Sequence, residues 1–338
     1  MKLTVNATKQ YDIVSFPSFD HLSEEMGKKV RGKNVLIVSD SNVAPLYLDT
    51  VRNALKGFSV DAYVFPAGEA SKTCETYLKI VCYLAEKGFV RQDCVLALGG
   101  GVVGDVAGFV AATFMRGVSF VQCPTSFLAM IDSSVGGKTA VDLPQGKNLL
   151  GAFYQPDLVY ICPETLKTLP EREVRCGMGE AVKYAFLSKT VTPELLAGGM
   201  TEELIFKCLR IKADIVEKDE FDKGARAFLN LGHTLGHAVE KMSGFALSHG
   251  ECVAKGIDKI IGMSAKKFSL PAGKVKEMQN LLALAGIETS LPYDIKEVIE
   301  ETVHDKKREK GGVNFVLLQD IGAPVSVLLT KEEAGALL

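Results

Sequence analysis

Short apolar runs, rich in β-branched residues, alternate with helical patterns through the first half of the chain. The runs occupy residues 35–39, 62–65, 94–98, 119–123 and 158–161. Between the second and third runs, residues 75–87 carry apolar side chains at helical spacing, and Gly88 is placed to end that helix. Continuous apolar strands separated by helices predict a parallel sheet that is covered on both faces, an architecture typical of nucleotide-binding proteins.

The pattern changes from about Pro163 onward to long helical periods. These periods span residues 171–188, 201–218, 224–242, 249–267 and 272–285, and residues 314–318 and 324–329 predict a closing hairpin. A chain of 338 residues exceeds the usual size of a single core. We therefore predict an α/β plus α protein, in which an N-terminal Rossmann-like parallel-sheet domain (residues 1–165) is followed by a mainly helical metal-binding domain (residues 166–338).

The composition is that of a globular protein without an electrostatic preference for nucleic acid, because the net charge is only −2. The eight cysteines form no Cys-x-x-Cys pair and lie mainly in apolar runs, which indicates a reduced, cytoplasmic protein. The first residues lack the apolar core of a signal peptide. The apolar stretch 94–115 is not expected to enter a membrane, since Asp105 and the triple glycine 99–101 interrupt it.

Three of the five histidines are close together in sequence: His233, His237 and His249. The first two are four residues apart, so a helix would place both imidazoles on one face. Imidazole is the commonest protein ligand of zinc and titrates near neutral pH. By itself, a histidine pair at this spacing is about as often two unrelated polar residues on a core helix as it is a functional site. His249, beside Gly250 and Glu251, favours a metal or acid–base centre.

A glycine-rich block, Gly99-Gly-Gly-Val-Val-Gly104, follows a strand and opens a helix, where backbone N–H groups can approach a phosphate. The block predicts a pyrophosphate contact. It does not predict an ordinary Rossmann site, because the residues about twenty positions later are an apolar strand without an acidic residue for a ribose. Gly137-Lys138-Thr139 imitates a P-loop, but Asp132 stands where the required glycine would be.

Polar residues inside apolar contexts form a further group. Each could instead belong to a solvated surface, and for Lys183 or Lys212 taken singly that interpretation is favoured. Together they predict an anionic, hydroxyl-rich ligand beside a metal: Asp132, Lys138, Lys147, Asn148, Glu180, Lys183, Lys212, Arg226 and Asn230.

With these residues in view, the chain resembles the 3-dehydroquinate synthase family of the sugar phosphate cyclases from about Asp40 to Leu318. The motifs that carry the resemblance are Gly68-Glu-x-x-Lys72, residues 99–148, Arg175-Cys-Gly-Met-Gly-Glu-Ala-Val-Lys183, residues 230–240, His249-Gly-Glu251 and Asp305-Lys-Lys307. The resemblance implies a divalent ion, zinc or cobalt, held by Glu180, His233 and His249. It implies NAD bound by Asp40, Asn42, Glu69, Lys72, Gly100, Gly101, Val102, Asp105, Thr125, Ser126, Lys147, Thr165, Leu166, Lys167 and Thr168.

The resemblance further implies a small anionic phosphosugar substrate, 3-deoxy-D-arabino-heptulosonate 7-phosphate. The substrate-contacting positions would be Asp132, Lys138, Asn148, Lys183, Lys212, Arg226, Asn230, Lys307 and Arg116. The resemblance at Arg116 also implies a homodimer, because in the family this arginine reaches the neighbouring subunit's site. The catalytic residues would be His237, Lys138, Lys183 and Asp222. The reaction implied is transient oxidation by NAD, phosphate elimination, re-reduction and an intramolecular aldol closure to 3-dehydroquinate. Arg226 is suited to a bidentate grip on the carboxylate.

The chain departs from the family pattern at one position. Asp222 stands where the family usually has glutamate, eight residues before the asparagine of the Asn-x-Gly-His motif. Either the shorter carboxylate fills the role or Glu220 replaces it.

Three alternatives remain at this point. The first is a sister cyclase, which would be a valiolone-type or 2-deoxy-scyllo-inosose synthase; the substrates of these enzymes carry no carboxylate for Arg226, Asn230 and Lys307. The second is a metal-dependent polyol dehydrogenase, which would release NADH. The third is a nucleotide-binding regulatory module, which leaves the three predicted metal ligands without a purpose.

Overall fold

The structure, a computed structural model, describes residues 1–305 and 312–338 and divides into two compact units, Met1–Leu169 and Pro170–Leu338. The assignment of NAD binding to the first unit and of metal and substrate binding to the second stays a prediction. Among the described residues, no helix is both long and apolar enough to cross a membrane.

Unit 1 is built on a seven-stranded sheet. Its strands are β1 (Lys2–Asn6), β2 (Gln10–Ser15), β3 (Asn34–Asp40), β4 (Ser59–Phe65), β5 (Cys94–Gly99), β6 (Ser119–Pro124) and β9 (Leu158–Ile161), while β7 (Lys138–Leu143) and β8 (Gly146–Phe153) form a separate antiparallel hairpin. The strand order is β1-β2-β9-β6-β5-β3-β4, and every pair is parallel except β1 with β2. The five strands predicted from sequence are confirmed; β1, β2 and the β7–β8 hairpin were not predicted.

Helices cover both faces of this sheet, as the apolar strands predicted. The helices are α1 (Leu22–Gly27), α2 (Ala44–Ala54), α3 (Cys74–Glu86) and α4 (Gly101–Thr113). Strand β3 shows the two-sided burial directly: Leu36 and Val38 enter the core formed with α3 and α4, whereas Val35 and Ile37 enter the core formed with α1 and α2. The apolar stretch 94–115 is a central strand followed by a buried helix.

Unit 2 is mainly helical. It contains α5 (Glu171–Leu187), α6 (Pro193–Ala197), α7 (Glu202–Lys218), α8 (His233–Met242), α9 (His249–Phe268), α10 (Ala272–Ala283), α11 (Ile295–Asp305) and α12 (Lys331–Leu337). The predicted hairpin is confirmed as β10 (Val313–Asp320) paired with β11 (Ala323–Leu329).

One predicted helix is wrong. Residues 224–242 do not form a continuous helix, because a 3₁₀ turn at Ala225–Asn230 ends before Gly232, which has a φ of 77°. A Cβ atom at Gly232 would lie 2.6 Å from the carbonyl oxygen of Val253 on α9. The left-handed glycine therefore interrupts the helix where the chain packs against α9, and α8 begins at His233.

Candidate active site

The strand order of unit 1 reverses between β3 and β5, and predicted cofactor residues lie where these strands end. Asp40 ends β3, and its carboxylate accepts hydrogen bonds from the backbone N–H groups of Asn42 and Val43, each at 2.9 Å. Gly99 ends β5, and its carbonyl accepts a hydrogen bond from the N–H of Thr125 at 3.0 Å. Ligands of open parallel sheets bind outside the carboxyl ends of strands at such a reversal.

Small residues keep the start of α4 open to a ligand. A Cβ atom at Gly100 would lie 3.3 Å from Oγ of Ser126, and one at Gly101 would lie 3.3 Å from Oγ of Ser133. Backbone N–H groups at the start of a helix, flanked by hydroxyls, suit a phosphate group. This edge of unit 1 therefore fits the pyrophosphate of a dinucleotide.

Lys72 joins several predicted site residues in one network. Its ammonium group is buried and lies 2.6 Å from a carboxylate oxygen of Asp105, 2.5 Å from Oδ1 of Asn148 and 3.8 Å from Glu69. Burial opposes its charge, but Asp105 and Glu69 prevail and raise the pKa of Lys72. Lys147 lies 3.8 Å from Glu69. The structure thus unites residues that the resemblance assigns to NAD with one that it assigns to substrate.

Asp142 belongs to the same network, although the sequence analysis did not single it out. Its carboxylate accepts a hydrogen bond from the N–H of Asn148 at 2.7 Å and its own N–H donates to the carbonyl of Lys72 at 2.8 Å. These contacts hold Asn148 in a left-handed conformation, with a φ of 57°. The only sequence signal was the short spacing of the two residues across the β7–β8 turn.

The other predicted residues of unit 1 lie at several places. Asp132 is half-buried in a π-helical turn, Ala129–Ser133, a kind of distortion that often marks functional sites. The turn that contains Thr165, Leu166, Lys167 and Thr168 contacts α2, because Oη of Tyr47 lies 3.3 Å from the carbonyl of Thr165. Of the rest, Asn42, Lys138 and Arg116 are exposed, and Val102 is half-buried on α4.

Unit 2 brings together the three histidines and Glu180. Glu180 is a fully buried residue of α5, His233 and His237 stand one turn apart on α8, and His249 begins α9. Oε1 of Glu180 lies 3.4 Å from Nε2 of His233 and 3.3 Å from Nε2 of His249. Ligand atoms of the three histidines all lie within 4.8 Å of one another.

Glycines beside these residues let the helix backbones touch. A Cβ atom at Gly250 would lie 1.8 Å from the carbonyl oxygen of Cys176, and one at Gly179 would lie 2.1 Å from that of Gly250, so α5 and α9 meet backbone to backbone. Gly236 and Gly232 perform the same role between α8 and α9, where added Cβ atoms would lie 2.9 Å and 2.6 Å from carbonyl oxygens. This close approach is what places short imidazole and carboxylate side chains within reach of one point.

The separations fit a divalent metal ion. Two ligand atoms of a tetrahedral zinc ion, each about 2.0–2.1 Å from the metal, lie roughly 3.3 Å apart. The Glu180–His233 and Glu180–His249 separations of 3.4 and 3.3 Å match that spacing. One carboxylate and two imidazoles also leave coordination positions open, as a catalytic zinc requires.

The electrostatics of this cluster favour a cation. Burial acts to lower the pKa of His249, but hydrogen bonds to Glu180 and Glu240 prevail and raise it to about 9. For His233, burial prevails over Glu180 and holds the pKa well below its usual value. Buried carboxylates thus stabilise the protonated, positively charged form of His249, and the same carboxylates would stabilise a bound metal cation.

Basic side chains are buried in the same unit. Lys183, fully buried one turn after Glu180, lies 2.5 Å from its Oε2. Arg226 is buried and donates from Nη1 to the carbonyl of Glu220 at 2.5 Å. Lys212 on α7 is also buried, and Asn230 ends the 3₁₀ turn before α8.

The predicted acid–base residue Asp222 is exposed in a left-handed conformation, with a φ of 58°. Its neighbour Asp219 instead organises the loop, since its carboxylate accepts from the N–H groups of Lys223, Gly224 and Arg226 at 2.7–2.9 Å. The predicted substrate residue Lys307 lies outside the described residues.

Two family models match the chain consecutively. A model described as 3-dehydroquinate synthase N-terminal matches residues 62–176, and one described as 3-dehydroquinate synthase C-terminal matches residues 177–308. A 3-dehydroquinate synthase of Desulforamulus reducens is 42% identical over 333 residues, which cover 94% of this chain and 92% of that protein.

Solved structures of two sister cyclases share the fold. A 2-deoxy-scyllo-inosose synthase, solved with carbaglucose-6-phosphate, NAD+ and Co2+, is 25% identical, with a TM-score of 0.91 over 100% of this chain and 99% of that one. The 2-epi-5-epi-valiolone synthase ValA of Streptomyces hygroscopicus subsp. jinggangensis, solved with NAD+ and Zn2+, is 25% identical, with a TM-score of 0.85 over 97% of this chain and 95% of that one.

Proposed function

This chain belongs to the 3-dehydroquinate synthase family, and we propose on that premise that it converts 3-deoxy-D-arabino-heptulosonate 7-phosphate into 3-dehydroquinate and phosphate. It is an enzyme of the phosphate-eliminating cyclase type. The reaction is the second step of the shikimate pathway, which leads to chorismate and the aromatic amino acids.

The observation that carries the proposal is the contact of Glu180 with both His233 and His249 in a unit that also buries several cations. A metal centre alone would suit many reactions. Buried Lys183, Lys212 and Arg226 add positive charge that would attract an anionic substrate. Both features together match the chemistry of a phosphorylated sugar acid.

Two cofactors are part of the proposal. Glu180, His233 and His249 would hold zinc or cobalt, while residues around Asp40, the Gly100–Gly101 turn and Lys72 would hold NAD. The chemistry that these groups supply when bound is reversible hydride transfer, for NAD, and polarisation of substrate hydroxyls, for the metal.

Arg226 would bind the substrate carboxylate. Its guanidinium is buried, and its hydrogen bond to the carbonyl of Glu220 holds the side chain in one orientation. A planar guanidinium can then grip a carboxylate through two parallel hydrogen bonds. In unit 1, Lys138 and Asn148 would contribute a point charge and an amide to substrate binding.

His237 would transfer the proton of the reacting hydroxyl. Its ring centroid lies 5.3 Å from that of His233 and 5.5 Å from that of His249, so it adjoins the predicted ligands. A neutral imidazole can accept a proton near neutral pH and return it later in the cycle. Lys183 would keep Glu180 ionised and oriented through the contact at Oε2.

We further propose that the chain forms a homodimer through the surface around Arg116. Met115 and Arg116 have left-handed conformations and are exposed. Tyr154, directly after the β7–β8 hairpin, donates to the carbonyl of Val118 at 2.6 Å. The hairpin adds apolar side chains that are 39–56% exposed: Leu149, Leu150 and Phe153. An exposed apolar patch with an arginine has the composition of a protein interface.

We also propose a cytoplasmic location. All eight cysteines carry free thiols, and six of them are buried. Free thiols in this number suit a reducing compartment.

The test is phosphate release by the purified protein with NAD and zinc. Heptulosonate 7-phosphate, sedoheptulose 7-phosphate and glucose 6-phosphate are offered separately. Turnover of the first alone, without lasting NADH, is the expected result. Turnover of either other substrate would move the function to a sister cyclase, and net accumulation of NADH would indicate a polyol dehydrogenase.

A further inference from the structure

A second buried carboxylate lies behind one predicted metal ligand. Glu240, near the end of α8, is only 9% exposed, and its Oε2 lies 3.1 Å from Nδ1 of His249. The other ring nitrogen of His249, Nε2, lies 3.3 Å from Oε1 of Glu180. The imidazole is therefore held between two carboxylates, one at each nitrogen.

This arrangement determines which nitrogen of His249 carries the proton. A metal ligand must present a lone pair, so with an ion between Nε2 and Glu180 the ring proton would lie on Nδ1, which donates it to the carboxylate of Glu240. His233 follows the same rule, because its Nδ1 lies 3.1 Å from the carbonyl of Leu231, which can only accept. In both rings Nδ1 thus faces an acceptor, so Nε2 can present its lone pair to a metal ion bound beside Oε1 of Glu180.

The backbone of Glu240 is also anchored. Its carbonyl accepts hydrogen bonds from the N–H of Phe245 at 3.0 Å and from Oγ of Ser243 at 2.7 Å. The carboxylate therefore extends from a fixed point where α8 ends.

We propose that Glu240 is a positioning residue that orients His249 as a metal ligand and sets its tautomer. This inference rests on the proposed role of His249 in the metal site. A carboxylate that accepts from the far nitrogen of a ligating imidazole also makes that imidazole a stronger donor to the metal. Removing it should therefore weaken metal binding although Glu240 does not itself touch the ion.

The test compares the zinc affinity of the full-length protein with that of Glu240→Ala and Glu240→Gln, measured by competition with a chromophoric chelator. We expect the dissociation constant for zinc to rise about 10–100-fold in Glu240→Ala. Glu240→Gln should lose less zinc affinity than Glu240→Ala, because its amide oxygen can still accept a hydrogen bond from Nδ1, although the negative charge is gone. It also keeps the test valid if the alanine variant fails to fold.

The matched control is Glu301→Gln. Glu301 on α11 pairs with Lys241, the neighbour of Glu240 on α8, so this variant also removes an ion pair of α8 but leaves His249 untouched. Its zinc affinity should stay within about twofold of that of the unmodified protein.

A purely structural role would not alter the metal's surroundings. The visible spectrum of the cobalt-loaded protein should therefore change in Glu240→Ala, and nitrogen NMR of labelled histidine in the zinc-loaded protein should show the proton of His249 on Nδ1. Wild-type zinc affinity and an unchanged cobalt spectrum in Glu240→Ala would overturn the inference. Tight zinc binding that depends on Glu240, in a protein that does not turn over heptulosonate 7-phosphate, would uphold the inference and overturn the proposed substrate instead.

Discussion

At the scale of single residues, the candidate site in unit 2 depends on short contacts of both carboxylate oxygens of Glu180. Oε1 of Glu180 approaches two imidazoles at 3.3–3.4 Å, while Oε2 approaches the Lys183 ammonium at 2.5 Å. Each carboxylate oxygen therefore has its own partner. Removing one member leaves a buried group without compensation, which costs several times more than losing the same contact at the surface.

His233→Ala should lose bound metal and activity together, because the two ligands that remain hold a divalent ion poorly. Zinc content measured by atomic emission after dialysis should fall from about one ion per chain to a small fraction. His21→Ala is the control, since His21 stacks on Phe16 in unit 1 and should retain full zinc. A full zinc content in His233→Ala would refute the ligand assignment.

Arg226→Ala should weaken substrate binding and leave the affinity for NAD intact. A charged hydrogen-bonded pair contributes about 1.5–3 kcal/mol, which corresponds to a rise in KM of roughly 10–150-fold. Arg226→Lys should recover only part of the loss, because an ammonium cannot form two parallel hydrogen bonds. An unchanged KM for heptulosonate 7-phosphate in both variants would exclude the carboxylate role.

Some site residues were beyond sequence reasoning at this scale. His233, His237 and His249 were visible because histidine is rare in this chain and their spacing suits a helix. Glu240 was not, because its contact with His249 forms only when α8 and α9 fold back on one another. A carboxylate on a helix has no sequence signature that separates a solvated side chain from a buried partner.

At the scale of elements, the crossing of α5 and α9 sets the spacing of the proposed metal ligands Glu180 and His249. Gly250→Ala would place a methyl group where the carbonyl of Cys176 lies, at 1.8 Å. Overpacking of this kind costs about 1–3 kcal/mol or more, so we expect a lower melting temperature together with reduced zinc affinity.

The matched control lies on the same helix. A Cβ atom added at Gly262 of α9 would meet nothing within 4 Å, so Gly262→Ala should keep zinc binding and raise stability by up to about 1 kcal/mol. Equal melting temperatures for the two variants would contradict the packing argument.

Periodicity predicted most elements but failed at one break. The apolar residues of 224–242 keep a helical spacing throughout, yet the helix is interrupted at Gly232, where α9 leaves no room for a side chain. The β7–β8 hairpin was missed for a related reason. None of the residues of its β8 strand, Gly146–Phe153, is buried, so the strand lacks the apolar alternation that identifies a half-buried strand.

At the scale of the whole molecule, the proposed dimer can be tested through its apolar patch. Phe153→Glu should shift the protein from dimer to monomer in analytical ultracentrifugation, because a charge would be buried at the interface. Leu78→Glu is the control: Leu78 is a similarly exposed apolar residue, on α3. Dimers that persist in Phe153→Glu would place the interface elsewhere.

Arg116→Ala provides the second part of this test. If the arginine reaches the partner's site, kcat/KM should fall while the protein stays dimeric, and mixed dimers with an otherwise inactive His233→Ala partner should regain part of the activity. A monomeric enzyme with full activity would contradict the proposal.

The two-part organisation was accessible from sequence because the change from strand–helix alternation to long helical periods is itself a physical difference between sheet and bundle cores. The family resemblance then assigned roles to individual residues, which the fold alone leaves open because one architecture supports many reactions, and these roles stay predictions. Contacts made across distant parts of the chain, such as Lys72 with Asn148, required the structure.

The glycine-lined helix crossings also bear on how this chain can vary over evolutionary time. Each of the four clustered residues is joined in sequence to a tightly packed glycine: Gly179 to Glu180, Gly232 to His233, Gly236 to His237 and Gly250 to His249. In each pair, selection on the chemistry of the carboxylate or imidazole and selection on the close packing of the glycine therefore act on adjacent codons. Among random variants that survive selection for growth, both residues of each of these four pairs should remain unchanged, while residues on the surrounding helix surfaces vary.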